Sequence, residues 1–399
     1  MTIIELEGLD GTNPLHVLAA FGALLLSDDL DGGGARLGWK KCGGTFTPRI
    51  ETSTAESDWC RVVAERLRTM GVVTSDGAGN TAKKDVSARK TKVKNLTEGL
   101  KKLGTELAGE AKKRGLSGAE KKAHGQPRLV SMQQELKAAK QHCEEAEKAL
   151  SASLGFGMAH LGEIIGVPAQ IFRQHAEHAL KNDPAAARQL SALASDGCLE
   201  LEKGKQGNVS PTHYSFSNGA SGQELLKDFR ALALLCTEER VRHSALLGTA
   251  KREDETALNW EPAACRSYAQ QWRDPSLEKK EVDVAANALA YVGLGLLTCF
   301  PGKRGLEALG FVRRNPGSGF TWPLWDALLP VEVVRATVAS LASKSFADNI
   351  PAMQARGLLG IQMAARINPN GKRNFFAPSS PRKPSEKRNV FAPSSPRKP

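Results

Sequence analysis

The sequence lacks paired cysteines. Its seven cysteines are scattered along the chain, and no two of them form a Cys-x-x-Cys pair. They are Cys42, Cys60, Cys143, Cys198, Cys236, Cys265 and Cys299. Scattered cysteines in odd number argue against a disulfide framework and against a zinc ribbon, and they indicate a reducing compartment.

Long apolar runs are missing as well. The longest runs, VLAAFGALLL and ANALAYVGLGLL, are too short to cross a bilayer. The opening residues, MTIIELEGLDGTNPL, carry acids where a secretory leader needs lysines. We therefore expect a cytoplasmic protein without a membrane partner.

The motifs of common enzymes are not found either. The sequence has no Gly-x-x-x-x-Gly-Lys-Ser/Thr loop, and GGGARLG lacks the helix start and the acid of a dinucleotide fingerprint. No Ser-His-Asp arrangement is supported. His175 and His178 could share a metal ion on a helix, but a third ligand is missing. We expect no enzyme activity, no cofactor and no metal site; a metal-dependent nuclease with a dispersed site is the alternative.

Positive charge is what the sequence does have. It holds 55 lysines and arginines against 43 aspartates and glutamates, a net charge of +12, and its pI is about 9.4. Hydrophobic residues make up 41%, which is enough for folded cores. Such a protein is drawn to polyanions, to nucleic acid first and to an anionic membrane surface second.

The patterns predict an α+β fold that is predominantly helical and has four segments. Residues 1–80 form an N-terminal mixed α/β unit, and residues 81–150 form a basic antiparallel helical hairpin that projects from it. Residues 151–370 form a mainly helical domain with a short strand element, which packs back on the N-terminal unit. Residues 371–399 form a disordered basic tail, since KRNFFAPSSPRKP recurs there as KRNVFAPSSPRKP.

Local signals place the N-terminal elements. Residues 2–8 alternate like a strand, and Asn13 followed by Pro14 predicts a capped, buried helix over residues 14–27. ARLGW and TFTPRI read as two strands joined by the glycine loop KKCGG, and residues 53–70 read as an amphipathic helix.

The hairpin and the C-terminal segments are predicted in the same way. Residues 81–150 hold 17 lysines and arginines against 9 acids, and HGQP at 124–127 is the expected break between their two helices. Residues 331–343 and 345–357 are predicted as two closing helices. Trp322 and Trp325 in GFTWPLW are expected to pack these helices onto the domain, with Pro323 in a turn, and base stacking is the alternative.

Basic residues next to glycine are the first candidates for nucleic-acid binding, because cations and backbone N–H groups can approach a phosphate there. The basic start of the hairpin and the polar loop SNGASGQ are further candidates. Solubilising charge, a solvated coiled-coil face and a Ser221–Glu224 capping box are the simpler alternatives. The candidates are Lys40, Lys41, Arg49, Lys303, Arg304, Arg313 and Arg314 in the loops, Lys83, Lys84, Arg89, Lys90, Lys92 and Lys94 in the hairpin, and Asn218.

Several phrases together resemble subunits of type I-G (formerly I-U) CRISPR effector complexes. LDGTNPLHVLAAFGALLLSDDL with ARLGW and PRI resembles their opening, and YSFSNGASGQELLKDFRAL resembles their middle. LNWEPAACRSYAQQWRDPS, ANALAYVGLGLLTCFP and GFTWPLWDALLPVEVVRATVASL resemble their C-terminal signature. The phrases occur in order over about three-fifths of the chain and skip the hairpin and the tail.

The resemblance implies a large-subunit-like component of an RNA-guided surveillance complex. Its implied partners are CRISPR RNA, the other effector-complex subunits, target double-stranded DNA and a helicase-nuclease. Such a subunit helps recognise the short motif beside the target, recruits the helicase-nuclease and cuts nothing itself. The alternative is a stand-alone nucleic-acid-binding or protein-interaction module with a helical docking arm.

Overall fold

The chain folds into two units. The computed structural model describes residues 1–72, 77–115, 117–153, 165–201, 206–216, 225–264, 281–303, 305–313, 318–341, 350–368 and 374–381. The first, here the core unit, combines Met1–Val72 with Gly157–Pro399, and the second, the hairpin unit, is Val73–Phe156. The fold is α+β with helix predominant, as predicted.

The elements are numbered in chain order. The described α-helices are α1 (Pro14–Leu30), α2 (Glu56–Gly71), α3 (Gly77–Lys113), α4 (Gly118–Ser153), α5 (Ala169–Asn182), α6 (Pro184–Leu193), α7 (Leu225–Leu235), α8 (Glu238–Val241), α9 (Val284–Gly293), α10 (Val331–Ser340) and α11 (Ile350–Ala355). The described strands are β1 (Thr2–Glu5), β2 (Arg36–Cys42), β3 (Thr45–Thr52), β4 (Ala194–Leu199), β5 (Val209–Pro211), β6 (Glu253–Asp254), β7 (Glu281–Val282), β8 (Cys299–Gly302), β9 (Gly305–Ala308), β10 (Phe311–Arg313), β11 (Ser318–Trp325), β12 (Leu329–Pro330), β13 (Leu358–Ile367), β14 (Phe375–Phe376) and β15 (Ser380–Pro381).

Two buried helices, α1 and α9, form the centre of the core unit. The Asn13 side chain caps α1 by accepting a hydrogen bond from the Leu15 N–H at 2.9 Å, as the sequence predicts. The helices cross at two glycines. A Cβ on Gly22 would lie 1.8 Å from the Leu289 carbonyl oxygen, and one on Gly293 would lie 1.9 Å from the Leu18 oxygen. The helices therefore touch backbone to backbone.

The first sheet joins the N-terminal segment to the C-terminal part of the chain. Its strand order is β1-β3-β2-β12, and each neighbouring pair is antiparallel. The turn between β2 and β3 lies at Gly43–Gly44, inside the predicted KKCGG loop. The edge strand β12 comes from residues 329–330 and pairs with Leu37 and Arg36. Residues 1–72 are therefore one unit with the C-terminal part of the chain, which corrects the separation of residues 1–80 from 151–370.

The second sheet contains the two neighbouring tryptophans. Its order is β10-β11-β13-β14, with β15 also paired to β13. Trp322 and Trp325 lie in β11 and are fully buried, which confirms the core interpretation. Their indole N–H groups donate to the Gly11 and Leu37 carbonyls, both at 2.8 Å. Pro323 lies inside β11 opposite Ile361, so the prediction of a turn at this residue is wrong.

The end of the described chain contains strands that the sequence did not predict. Of residues 345–357, which were expected to be helical, residues 350–355 form α11 and residues 345–349 lie outside the described residues. The unpredicted strand β13 begins directly afterwards, at Leu358. The predicted disorder from residue 371 is wrong for residues 374–381, which pair with β13. Phe376 is fully buried, with its ring 4.6 Å from that of Phe216. This aromatic burial orders residues 374–381 of the first repeat, whereas residues 382–399 with the second copy lie outside the described residues.

The hairpin unit consists of two long helices that contact each other, α3 and α4. Its break lies at Arg114–Gly115, and the predicted break at residues 124–127 is wrong because Pro127 lies inside α4. Gly115 has φ +66°, the left-handed conformation with which a glycine ends a helix. Across the described residues, we find no helix with the length and apolarity that a membrane crossing requires.

Replacing Gly22 by alanine should destabilise the core unit by roughly 3 kcal/mol or more, because the added methyl group meets the Leu289 carbonyl. All six tryptophans lie outside residues 73–156, so their fluorescence in urea follows the core unit alone. Gly360→Ala is the control, since nothing lies within 4 Å of its added group, and it should change the free energy of unfolding by less than about 1 kcal/mol. Equal stability of the two variants would contradict the backbone contact.

Candidate nucleic-acid interface

Three of the predicted cations lie on the first sheet, but two of them are already paired with acids. Lys40 on β2 places its Nζ 2.9 Å from both Glu5 carboxylate oxygens, and this pair raises the pKa of the Lys40 ammonium. Arg49 on β3 donates from Nη2 to the Asp326 carboxylate at 2.8 Å and to its backbone oxygen at 2.9 Å. Lys41 is exposed on β2. A phosphate at Lys40 or Arg49 must therefore displace a carboxylate.

The missing side chain of Gly38 explains how Asp326 reaches this face. Gly38 pairs with Arg49 across β2 and β3. A Cβ on Gly38 would lie 2.7 Å from the Asp326 carbonyl oxygen, so the segment after β11 crosses the sheet at this glycine. Asp326 lies 277 residues away from Arg49 in the sequence, and no local pattern predicts their contact.

The remaining loop candidates do not form one described cluster. Lys303 is exposed in the turn between β8 and β9, and Arg313 ends β10 in the second sheet. The side chain of Arg313 and all of Arg304, Arg314 and Asn218 lie outside the described residues. The capping box at Ser221 and Glu224 lies outside them as well. These candidates remain predictions.

The contacts within the hairpin unit show which face of α3 is covered. Most half-buried residues of each helix follow alternating spacings of three and four, which is typical of a coiled-coil seam. Arg89 donates from Nη1 to the His142 carbonyl at 3.4 Å, and a Cβ on Gly99 would lie 2.7 Å from Met132 Cε. The helices are thus antiparallel, and Arg89 belongs to the seam. The seam residues are Arg89, Val93, Leu96, Leu100, Leu103 and Leu107 in α3, and Leu129, Met132, Leu136, Ala139, Cys143 and Ala146 in α4.

A line of lysines follows α3 beside this seam. Lys83, Lys90, Lys94 and Lys101 are spaced seven, four and seven residues apart, which places them along one side of a helix. We call these four residues the lysine stripe; Lys90, Lys94 and Lys101 are exposed, whereas the Lys83 side chain is not described. From Lys90 to Lys101 the stripe runs about 16 Å at 1.5 Å per residue.

No carboxylate occupies the positions between these lysines on the same side of α3. Ser87 and Thr97 lie between the lysines, and Gly104 and Ala108 continue the same line beyond Lys101. Glu98 lies one turn from both Lys94 and Lys101, but neither lysine has a carboxylate within ion-pair distance in the described part of the chain. Lys94 and Lys101 therefore carry positive charge that no described carboxylate pairs with, in contrast to Lys40 and Arg49 on the first sheet.

The candidates predicted from the sequence include only part of the stripe. Lys83, Lys90 and Lys94 were candidates, but Lys101 was missed, and Arg89 belongs to the seam. Lys84 and Lys92 occupy other positions around α3, and the Lys84 side chain is not described. The spacing of seven, four and seven residues places Lys101 in line with the other three lysines. Only the position of the seam shows that this line lies on an exposed side of α3.

The two histidines considered for metal binding lie in different surroundings. His175 is buried and His178 is exposed on α5. In the described ranges, no group of three or more histidine, cysteine, aspartate or glutamate side chains could hold a metal ion. Burial raises the pKa of the Cys60 thiol to about 11 and that of the Cys236 thiol to about 12, so both are poor nucleophiles at neutral pH.

The phrase DGTNPLH has a structural role at the start of α1. The Asp10 carboxylate accepts hydrogen bonds from the Thr12 N–H at 3.0 Å and the Phe46 N–H at 3.1 Å. Asn13 Nδ2 donates to both oxygens of Glu261, at 3.2 and 3.1 Å. His16 Nδ1 accepts from the Asp10 N–H at 3.1 Å, and burial lowers the pKa of this imidazole. The polar groups of the phrase thus join α1 to β3 and to the segment after Trp260.

Neutralising the sheet cations should have little effect on polyanion binding. The double variant Lys40→Gln/Arg49→Gln should change the affinity for a labelled 20-base-pair DNA duplex by less than about twofold, because paired cations gain little from a new anion. Glu5→Gln should strengthen binding about two- to threefold, because it releases Lys40. Fluorescence anisotropy at fixed salt measures both. A tenfold loss in the double variant would show that phosphates displace these carboxylates.

Comparison with known proteins gives no relative from which a role could be transferred. No family model, no curated protein and no solved structure matches the chain. A functional proposal therefore depends on the chain's own residues.

Proposed function

We propose that this chain is a non-catalytic nucleic-acid-binding subunit of a ribonucleoprotein complex. The observation that carries the proposal is the lysine stripe of α3, whose positive charge has no carboxylate within its own line. Flexible lysines on a helix recognise the phosphate backbone and not the bases. Their attraction for a polyanion includes the release of condensed counterions, which adds to the affinity without any sequence preference.

The resemblance extends this proposal to an RNA-guided antiviral complex of the type I-G CRISPR class in the cytoplasm. The chain would there bind target double-stranded DNA, help to recognise the flanking motif and recruit the helicase-nuclease. In RNA-guided systems base pairing reads the sequence, while protein contacts read the backbone shape and a short motif. A subunit that binds phosphates without reading bases suits the contacts to the nucleic-acid backbone.

The hairpin unit suits a backbone-binding role for a second reason. Its seam is built from residues such as Leu96, Leu100 and Met132 that face the partner helix, so the exposed positions of α3 are not needed to hold the two helices together. Charge on these positions is free to serve binding. By contrast, Arg49 is engaged by Asp326 and helps to fix the segment that leads into β12.

The alternative is a stand-alone module in which the hairpin binds another protein. The stripe favours a nucleic acid, because three exposed lysines with intervening small or polar residues present little apolar area to a protein partner. The two proposals differ in the dependence on salt and in the molecules that accompany the purified chain.

The triple variant Lys90→Gln/Lys94→Gln/Lys101→Gln should bind a DNA duplex more weakly and with a weaker dependence on salt. Each lost phosphate contact lowers the slope of log K against log salt by about 0.9, so the slope should fall by up to about 2.7. The matched control is Arg128→Gln/Lys137→Gln/Lys140→Gln on α4, which removes three exposed cations outside the stripe. Equal slopes in the two triple variants would refute a specific role for the stripe.

Co-purification tests the assignment to an RNA-guided complex. When the tagged chain is expressed with its genomic neighbours, it should bring down other subunits and an RNA of defined length with repeat-derived ends. Sequencing of the bound RNA and mass spectrometry of the proteins measure this. A tagged chain that carries no RNA and no other subunit would contradict the complex and would favour the stand-alone module.

A further inference from the structure

The core unit contains a cavity that the proposed function does not use. It lies among α1, α2, α6 and α7, with α9 behind it, and its volume is about 150 Å³. Its apolar wall consists of Leu25, Leu26, Phe229 and Val292, which are all almost completely buried. Met70 and Ala186 also line it. An apolar chamber of this volume accommodates a group of the size of benzene.

The polar side of the cavity has an excess of positive charge. Three guanidinium groups, from Arg66, Arg188 and Arg230, line it together with the carboxylates of Asp29 and Asp183. Both carboxylates already have partners in the protein. Asp29 forms an ion pair with Arg188 Nη2 at 2.5 Å, and Asp183 caps α6 by accepting from the Ala186 N–H at 3.1 Å.

Two of the arginine groups have unused donors. Arg66 is half-buried on α2 and has no hydrogen bond or ion pair with any described residue. The Nε–H of Arg188 is buried and has no hydrogen-bond partner, although its Nη2 is bound to Asp29. A buried donor without an acceptor is costly, and a charged one is more so. An anion at this side of the cavity would satisfy the Arg66 donors and gain from the positive charge of Arg188.

We propose that this cavity binds a small carboxylic acid whose apolar part is about as large as a benzene ring. The apolar part packs against Leu25 and Phe229, and the carboxylate accepts from Arg66 in the positive field of Arg188. An inorganic anion such as phosphate would leave the apolar wall empty, and a neutral hydrocarbon would leave the donors unsatisfied. The apolar wall and the arginine side of the cavity together therefore favour a molecule that has both an apolar group and a carboxylate.

Benzoate is the probe and benzamide its neutral counterpart. The chain has six methionines, so methyl-labelled methionine gives a simple NMR spectrum in which Met70→Leu identifies the signal of Met70. Titration of the full chain with benzoate should shift this signal saturably. Benzamide, which has the same shape without the charge, should bind about tenfold more weakly, because a charge-assisted hydrogen bond is about twice as strong as a neutral one.

Three variants complete the test. Arg66→Gln should weaken benzoate about tenfold and leave benzamide nearly unchanged, whereas Arg68→Gln, on the same helix but outside the cavity, should affect neither. Ala186→Leu should fill the cavity and abolish the binding of both probes. The signals of the other methionines report whether each variant is folded. No saturable shift of the Met70 signal, or equal affinities for benzoate and benzamide, would overturn the proposal.

Discussion

The backbone contact between α1 and α9 is the constraint on which the rest of the core unit depends. Gly22 and Gly293 each face a carbonyl oxygen of the other helix at a distance that no side chain permits. The contact joins residues about 270 positions apart, so the N-terminal segment has no complete core of its own. β12, which follows α9 in the chain, pairs with β2 as an edge strand of the first sheet. The indole N–H groups of Trp322 and Trp325 then reach carbonyls of the N-terminal segment.

Elements with local causes could be predicted from the sequence. The cap at Asn13, the glycine turn between β2 and β3 and the amphipathic helix α2 each depend on residues within a few positions, and each is found where it was expected. The elements that were missed depend on distant partners. β13 is a strand because it pairs along its length with β11. Phe376 is ordered because its ring packs against that of Phe216. No pattern within residues 358–381 contains this information.

The candidate interface shows the same division. Lys40 and Arg49 were predicted to bind phosphate because they are cations near glycines. In the structure they are bound to Glu5 and Asp326, and the charges along the sequence do not predict these two ion pairs. The lysine stripe is different, because the spacing of its residues is entirely local. Its position around α3 relative to the seam is known only from two contacts between the helices, that of Arg89 with His142 and that of Met132 with Gly99. A periodic pattern thus gives the line of charges, and the structure shows which side is open.

The stripe also carries a cost that a purely structural helix has no reason to bear. Lys90 and Lys94 are four residues apart, and like charges at this spacing destabilise a helix by a few tenths of a kcal/mol. Glu98 lies within one turn of Lys94 and Lys101, but the positions in the line of the stripe itself contain no acid. A solvated coiled coil is most stable when charges of both signs alternate on its flanks. A polyanion bound along α3 would remove this repulsion, and its own counterions would be released in the same step.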